Sequence, residues 1–257
     1  MLTLIAESKT MLDDQQIVSA QTLENHTPAG EKQASDIMEA LGRLSQPELI
    51  ARTGFSPSLA AKLRQMIYEF PNKSLGLKAI EAYTGVVFKA LKYATLSPRE
   101  QMLCNRNVRV ISSLYGLLRP DDIIKPYRLD YTTKAAPGDK TLNSFWKTDV
   151  TIRLVKDINR EGRTQLINLL PADAAKCIDW KVVKRFCKVW KVDFAEVTDG
   201  GQTKTPTANK LKTMRGLLLR HILRDGIATV ADLRAVISDD FICEGTPVYP
   251  DHLLFLC

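Results

Sequence analysis

Basic side chains are the residues of this sequence whose type and spacing indicate a chemistry, which is the binding of anions. Residues 176–191 carry six Lys or Arg and one acid, and residues 204–224 carry six Lys or Arg and no acid. Residues 225–257 instead carry six acids and one base. Ammonium and guanidinium groups in such blocks could neutralise the phosphates of a nucleic acid. They could equally form a solvated strand face whose lysines protect a sheet edge from aggregation.

Arg215 occupies a position that simple solvation does not explain. On a helix starting near Thr207, helical spacing predicts that Arg215 falls inside the apolar face. The apolar residues of that face are Leu211, Met214, Leu218 and Ile222. Burying an unpaired guanidinium is costly, so Arg215 must either pair with an internal carboxylate or face a bound anion. Gly216 beside it would let another backbone or a ligand approach closely.

A second candidate anion site is the joint between two predicted helices, at about residues 46–52 and 57–70. The joint reads G-F-S-P-S-L-A and resembles the hairpin of the helix-hairpin-helix DNA-binding motif, with serine at the usual second glycine. Backbone N–H groups at the start of the second helix could hold a phosphate there. The candidate residues are Gly54, Phe55, Ser56, Ser58, Lys62 and Arg64. Two packed helices with a capped joint and no ligand are the alternative.

The densest motif, residues 109–120, reads R-V-I-S-S-L-Y-G-L-L-R-P and is followed by P-Y-R-L-D at residues 126–130. It resembles the signature of the YaaA family, also called UPF0246, whose pattern is close to L-R-x-L-S-G-L-Y-G-x-L-R-P and then P-Y-R-L-E-M. Residues 6–10, A-E-S-K-T, are similar to the family's S-P-(A/S)-K-T motif, and residues 212–216, K-T-M-R-G, to its K-x-x-R-G helix. Residues 145–146 match its F-W pair, so that the motifs lie in register over most of the chain.

The resemblance implies a cytoplasmic bacterial protein that resists peroxide stress by limiting free iron and oxidative damage to DNA. It also implies a mixed α/β fold with a helix-hairpin-helix and a positively charged cleft, and nonspecific binding of duplex or junction DNA. The side chains that it assigns to the cleft are Lys9, Arg109, Arg119, Tyr127, Arg128, Lys212 and Arg215.

This chain departs from the family's pattern mainly at acids and hydroxyls. In the family's F-x-G-D-V-Y segment, Val86 replaces the acid and Phe88 replaces the tyrosine. The family's N-L-A-S-x-E-Y segment aligns with N-L-L-P-A-D-A at residues 168–174. The glutamate after Y-R-L is Asp130 here, and the proline of the first motif is Glu7. Proton transfer or metal chemistry that relies on those acids would be lost, whereas phosphate binding by the bases would survive.

Composition excludes several classes of protein. The 257 residues are 45% hydrophobic and 25% charged, which excludes a disordered chain, collagen and a small disulfide scaffold. No stretch approaches the ~18 apolar residues of a membrane-spanning helix, and the N-terminus lacks the pattern of a secretory signal, so we expect a cytoplasmic protein. The five Cys form no C-x-x-C pair and the three His are scattered. We therefore expect no metal site and no cofactor.

Helix and strand signals interleave along the whole chain. They predict one α/β domain over residues 1–257, with a mixed β-sheet flanked by helices. The strand candidates are residues 2–5, 108–111, 165–169 and 189–197. Capping boxes at residues 45–48 and 97–100 each predict the start of a helix. The Ser-Pro pair at 56–57 and the Thr-Pro pair at 205–206 predict two more starts, with a cap residue before a first-turn proline.

Two functional hypotheses follow. The leading one is a monomeric, non-enzymatic protein of the peroxide-stress type that binds DNA without sequence specificity. The second is an enzyme or binding protein for a phosphorylated small molecule, with the cleft bases as an anion clamp and Asp130 as a possible base. The motif residues could instead form an internal ion-pair network that fixes the fold. A narrow pocket around Arg119 and Arg215 would favour the small molecule, and an open basic groove would favour a duplex.

Overall fold

The computed structural model describes residues 1–12, 26–72, 76–198, 200–244 and 250–257, which adopt a mixed α/β fold. In chain order, the strands are Leu2–Ala6 (β1), Leu77–Lys78 (β2), Val108–Ser112 (β3), Gly116–Leu118 (β4), Ile123–Ile124 (β5), Gln165–Asn168 (β6), Lys188–Val197 (β7), Thr203–Lys204 (β8), Ile242–Cys243 (β9) and His252–Leu256 (β10). The α-helices are Glu31–Gly42 (α1), Gln46–Thr53 (α2), Pro57–Glu69 (α3), Ala79–Ala82 (α4), Val86–Leu91 (α5), Pro98–Asn107 (α6), Leu142–Arg160 (α7), Ala172–Ala175 (α8), Trp180–Val183 (α9), Ala208–Arg224 (α10) and Val230–Arg234 (α11).

The main sheet is mostly parallel and has the strand order β4-β3-β1-β6-β7-β10-β9, with β8 paired to β7. Strand β1 pairs in parallel with β3 on one side and with β6 on the other, and β6, β7 and β10 continue the parallel pairing. Strands β4, β8 and β9 each pair antiparallel with a neighbour. A parallel sheet flanked by helices is buried on both faces, which explains why every residue of β3, and every residue of β1 except Ala6, is buried.

The predicted α/β class and mixed sheet are confirmed, and each strand candidate matches an observed strand to within one residue at either end. The capping boxes that begin α2 and α6 are both formed. The helix start predicted from the Thr-Pro pair at 205–206 is wrong, because α10 begins at Ala208. Its cap is Thr207, whose hydroxyl accepts the backbone N–H of Lys210, and the proline lies before the helix.

Helices α5 and α10 pack closely, and this contact positions the residues described below. A Cβ atom added to Gly216 on α10 would lie 2.3 Å from the carbonyl oxygen of Val87 and 2.7 Å from the Cβ atom of Ala90. The missing side chain therefore lets the backbones of the two helices meet, as the glycine suggests in the sequence. The contact brings Arg215, the preceding residue, next to the start of α5.

Replacing Gly216 with alanine tests this contact. Gly216→Ala is expected to lower the free energy of unfolding by about 1–3 kcal/mol, because the new methyl group overlaps the backbone of α5. Within a freely exposed helix, the same substitution would raise stability by roughly 1 kcal/mol, so the sign of the effect is diagnostic. Urea denaturation followed by circular dichroism measures the change.

Gly200→Ala is the matched control, because the nearest atom to a Cβ added there, Oγ1 of Thr198, is 4.0 Å away. We expect the control to leave the free energy of unfolding nearly unchanged. A Gly216→Ala protein as stable as the parent would contradict the close contact.

Candidate anion-binding site

A cavity of about 420 Å³ lies at the carboxyl ends of β1 and β6. The chain leaving β1 returns beside it as β3, whereas the chain leaving β6 returns on the opposite side as β7. Connections that diverge in this way open a crevice at the ends of parallel strands, where α/β proteins commonly bind ligands. We name it the β1–β6 cavity. Its walls are the loop after β1, the start of α5, residues 130–132, the loop after β6 and the first half of α10.

Glu7 directly follows β1 and lines this cavity. Its Oε2 atom accepts a hydrogen bond from the backbone N–H of Ser113 at 2.8 Å and another from the hydroxyl of Tyr127. Burial raises the pKa of the Glu7 carboxyl to about 7 and outweighs these hydrogen bonds, which act to lower the pKa. Near neutral pH, Glu7 therefore exists in both protonated and ionised forms, which suits a group that accepts or donates a proton.

Tyr127 connects Glu7 to two further hydroxyl groups. Its oxygen lies 2.7 Å from the hydroxyl of Tyr83 and 2.7 Å from Oγ of Ser112. Oγ of Ser112 accepts two backbone N–H groups, which leaves its own proton free to be donated to Tyr127. Burial raises the pKa of Tyr83 and Tyr127 well above the usual range, so both phenols stay neutral. These hydrogen bonds fix the orientation of the Glu7 carboxyl.

Asp130 forms ion pairs with two of the basic residues predicted for the cleft. Nζ of Lys9 lies 3.0 Å from Oδ1 of Asp130, and Nη1 of Arg128 donates to the same oxygen at 2.6 Å. Burial acts to raise the pKa of Asp130, but the hydrogen bonds from Arg128 and Lys9 lower it overall. Asp130 is thus an ionised partner of two cations and is poorly suited to act as a base. The guanidinium of Arg128 also lies over the ring of Phe55, 4.9 Å from its centroid.

Arg215 and Lys212 supply positive charge to the cavity from α10. In the part of the chain that the structure describes, neither side chain forms a hydrogen bond or an ion pair. Arg215 is half-buried, and its burial lowers the pKa of the guanidinium, while the charge of Asp193 acts to raise it. A guanidinium stays protonated at neutral pH even so. The cavity therefore contains a half-buried cation with space beside it for an anion.

Three of the seven predicted cleft residues, Lys9, Lys212 and Arg215, line this cavity. Tyr127 and Arg128 bind the lining residues Glu7 and Asp130, and the other two lie elsewhere. Arg109 is only 1% exposed, and it forms ion pairs with Asp157 at 2.6 Å and Glu161 at 3.4 Å. Arg119 lies at a separate open depression, with Nη2 3.9 Å from Asp157. Arg109 is the second residue of β3, whereas the cavity lies at the carboxyl ends of the strands. Its guanidinium thus belongs to an ion-pair network beside the depression that Arg119 also lines, and it does not reach the β1–β6 cavity.

Helices α2 and α3 are joined by a tight turn at the predicted joint. Gly54 has a left-handed backbone with φ 69°, and Ser56 caps α3 through its hydroxyl, which lies 3.2 Å from the hydroxyl of Ser58. Arg64 donates to the backbone carbonyls of Gly42, at the end of α1, and Leu44, in the following loop, whereas Lys62 is exposed. Because α3 starts with a proline and one of its N–H groups is already capped, few of its N–H groups are free to hold a phosphate.

The two basic segments identified in the sequence, residues 176–191 and 204–224, are partly neutralised by nearby acids. Lys184 pairs with Asp251 at 3.0 Å, and Lys204 and Lys210 both pair with Glu196. Strand β7 lies between β6 and β10, so the alternative in which its lysines protect a sheet edge is wrong. Charge is therefore distributed less unevenly on the protein surface than along the sequence.

The role of Glu7 is not evident from the sequence, where this residue stands only as a departure from the family's pattern. The usable signal is an acid placed directly after a buried apolar strand, where a parallel sheet presents its ligand-binding residues. Val86 and Phe88, two other departures, also line the cavity. Residues that differ from the pattern and lie far apart in the sequence thus meet at one site.

Metal-binding groups and reactive thiols are not features of the described ranges. Among those residues, no group of His, Cys, Asp and Glu could hold a metal ion. Burial raises the pKa of Cys104 and Cys177 to about 12, which keeps both thiols protonated. None of the helices in the described part of the chain has the length and apolar character needed to cross a membrane.

The raised pKa of Glu7 predicts a pH dependence of stability. Between about pH 4.5 and 7 the carboxyl is protonated in the folded protein and ionised in the unfolded chain, so the folded state binds more protons. Stability is therefore expected to fall as the pH rises through this window, and Glu7→Gln should remove the share of the fall that Glu7 causes. Urea titrations at several pH values measure the effect.

Asp122 provides the control, because burial raises the pKa of its carboxyl to about 6. Asp122→Asn should remove a separate share of the fall and leave that of Glu7. Carbon-13 NMR of the Glu7 carboxyl reports its pKa directly, and an ordinary value near that of an exposed glutamate would refute the assignment.

The sequence of this chain is similar to that of a known family over nearly its whole length. Residues 1–245 match the family described as "Peroxide stress protein YaaA". A UPF0246 protein of Parabacteroides distasonis is 30% identical over 258 residues, which cover 100% of this chain and 99% of that protein. UPF0246 proteins of Bacteroides fragilis and Crocosphaera subtropica are each 30% identical, over 94% and 91% of this chain and 92% and 91% of their own lengths. The resemblance seen in the motifs is thereby confirmed, and the chain belongs to the peroxide stress protein YaaA family.

Proposed function

We propose that this chain binds a small anionic molecule in the β1–β6 cavity and that this binding serves a role in peroxide stress, which the family's name indicates. One observation carries the proposal. The guanidinium of Arg215 is half-buried at the cavity wall and has no partner among the residues that the structure describes. A bound anion would supply the missing interaction.

The surrounding charges support an anion rather than a cation. Lys212 lies one helical turn before Arg215 on the same face of α10, and it too lacks a partner within the described ranges. Asp130 is already neutralised by Lys9 and Arg128. Asp173, another acid of the lining, pairs with Lys176 at 3.3 Å. Protonation of Glu7 near pH 7 neutralises the third acid, and the protonated carboxyl could donate a hydrogen bond to the anion.

The shape of the site supports a small molecule. A volume of about 420 Å³ falls within the range of typical ligand pockets, roughly 300–1,000 Å³. A duplex presents its phosphates on a broad convex surface and is held by exposed basic side chains of the protein. Arg215 is instead set back into a crevice between two helices and the sheet. Glu7 adds a titratable group beside the anion, as an enzyme acting by proton transfer would require.

Sulfate is a suitable probe, because its charge is constant across the neutral range. Calorimetric titration should show sulfate binding, and Arg215→Met should weaken it about tenfold to a hundredfold, since a hydrogen bond to a charged group contributes ~1.5–3 kcal/mol. Binding should be up to about tenfold tighter at about pH 6 than at about pH 8, and Glu7→Gln should abolish that difference.

Arg224→Met is the matched control, because Arg224 is exposed on the same helix and lies outside the cavity. The control should bind sulfate like the parent. Equal affinities of the parent and Arg215→Met, with both proteins folded, would refute the proposal.

DNA binding is a second candidate function, favoured by the left-handed turn at Gly54 and the exposed Lys62 on α3. Phe55 links that turn to Arg128 and through it to Asp130 at the cavity, so the two candidate sites are in contact. Binding of this kind would involve phosphates only and would not depend on base sequence.

A titration with duplex and junction DNA at two salt concentrations tests this function. Affinity should fall steeply with salt, and Lys62→Glu should reduce it, whereas Lys89→Glu, the same charge reversal at an exposed position of α5, should not. Arg64 is left unchanged because its guanidinium supports the loop after α1. Absent or salt-independent binding would exclude this candidate.

A further inference from the structure

The β1–β6 cavity has two chemically different walls. One wall carries the charged and hydroxyl groups described above, including Glu7 and Arg215. The other is formed by aliphatic and aromatic side chains from three segments that the sheet brings together. These apolar residues are Ile5, Val86, Val87, Phe88, Leu169 and Pro171.

We infer that the molecule bound here is an organic anion with a compact apolar body, whose anionic group lies at Arg215 and Lys212 and whose body packs on Val86 and Phe88. This inference rests on the function proposed above and adds the chemical class of the ligand. A bare inorganic anion would pair with Arg215 but would leave the apolar wall in contact with water. An aryl or short alkyl group would cover that wall and gain roughly 25 cal/mol per Å² of apolar surface removed from water.

The apolar wall is held rigidly, which favours a defined ligand shape. Gly85, just before α5, allows the loop after β1 to approach so closely that an added Cβ would lie 2.1 Å from Oγ of Ser8. The ring of Phe88 packs against that of Tyr83, with centroids 5.1 Å apart. Gly216 fixes α5 against α10 from the other side. Little conformational freedom is therefore lost when a ligand covers this wall.

Two residues of this wall also stand where the family's pattern has polar groups. Val86 occupies the position of the acid in F-x-G-D-V-Y, and Phe88 that of the tyrosine. An acid at position 86 would place a charge against the ligand's body, and a phenol at position 88 would place a hydroxyl near it. The two substitutions together make this wall wholly apolar, so they are expected to determine which body the cavity accepts.

Three probes separate the head group from the body: phenyl phosphate has both, methyl phosphate has almost only the head, and phenol has only the body. Calorimetry at a fixed pH should show phenyl phosphate binding about tenfold or more tightly than methyl phosphate, because the ring covers the apolar wall. Phenol alone should bind far more weakly than phenyl phosphate, because it lacks the charged group that Arg215 holds.

Val86→Thr, nearly identical in shape, and Phe88→Tyr should each reduce the ratio of the phenyl phosphate affinity to the methyl phosphate affinity. Lys89→Ala, on the same helix but outside the cavity, should leave that ratio as in the parent. The ratio is independent of small differences in the amount of active protein, and circular dichroism verifies that each variant is folded.

Each other outcome overturns a stated part of the argument. Equal affinities for methyl and phenyl phosphate, both lost in Arg215→Met, would refute the apolar body and leave the anion site intact. Failure of both phosphates to bind would refute the proposed function itself. Phenol binding as tightly as phenyl phosphate would show that the cavity recognises apolar groups without using Arg215, and would overturn both proposals.

Discussion

Strand β1 pairs in parallel with β3 on one side and with β6 on the other, and the candidate site is built on this pairing. Since the chain leaves β1 and β6 towards strands on opposite sides, a crevice opens between their carboxyl ends. Glu7 follows directly from β1, so its position is fixed by the strand. Helix α10 forms a further wall of the cavity. Gly216 lets α10 pack on the backbone of α5, and this contact brings Arg215 to the cavity.

Charge balance within the fold decides which of the bases are available to a ligand. Arg109 forms ion pairs with Asp157 and Glu161 inside the protein, and Lys9 forms one with Asp130. Arg215 has no comparable acid within the described ranges, although it is half-buried. Net charge along a sequence therefore overestimates the charge offered to a partner, because acids from distant segments neutralise part of it.

The turn between α2 and α3 and the β1–β6 cavity form a continuous structure. Phe55 of the turn contacts Arg128, and Arg128 shares Asp130 with Lys9 at the cavity. The motif residues following β5 thus serve as a connection between the two regions. Tyr127, the residue before Arg128, donates a hydrogen bond to Glu7. The two regions are therefore joined by one cation–π contact and by the polar contacts that Asp130 makes with Arg128 and Lys9.

The sequence is sufficient to predict the fold class, the strands near 108–111 and 165–169, the capping boxes at Ser45 and Ser97, and the family, because these follow from local periodicity, local hydrogen bonding and contiguous motifs. It did not determine which bases share a site, since Arg109 and Arg215 are equally basic in sequence. The fold makes this distinction, because it buries one guanidinium against acids 48 and 52 residues away and leaves the other at a crevice. The role of Glu7 was decided in the same way, because its pKa depends on desolvation and on hydrogen bonds from Ser113 and Tyr127, which come from distant parts of the chain.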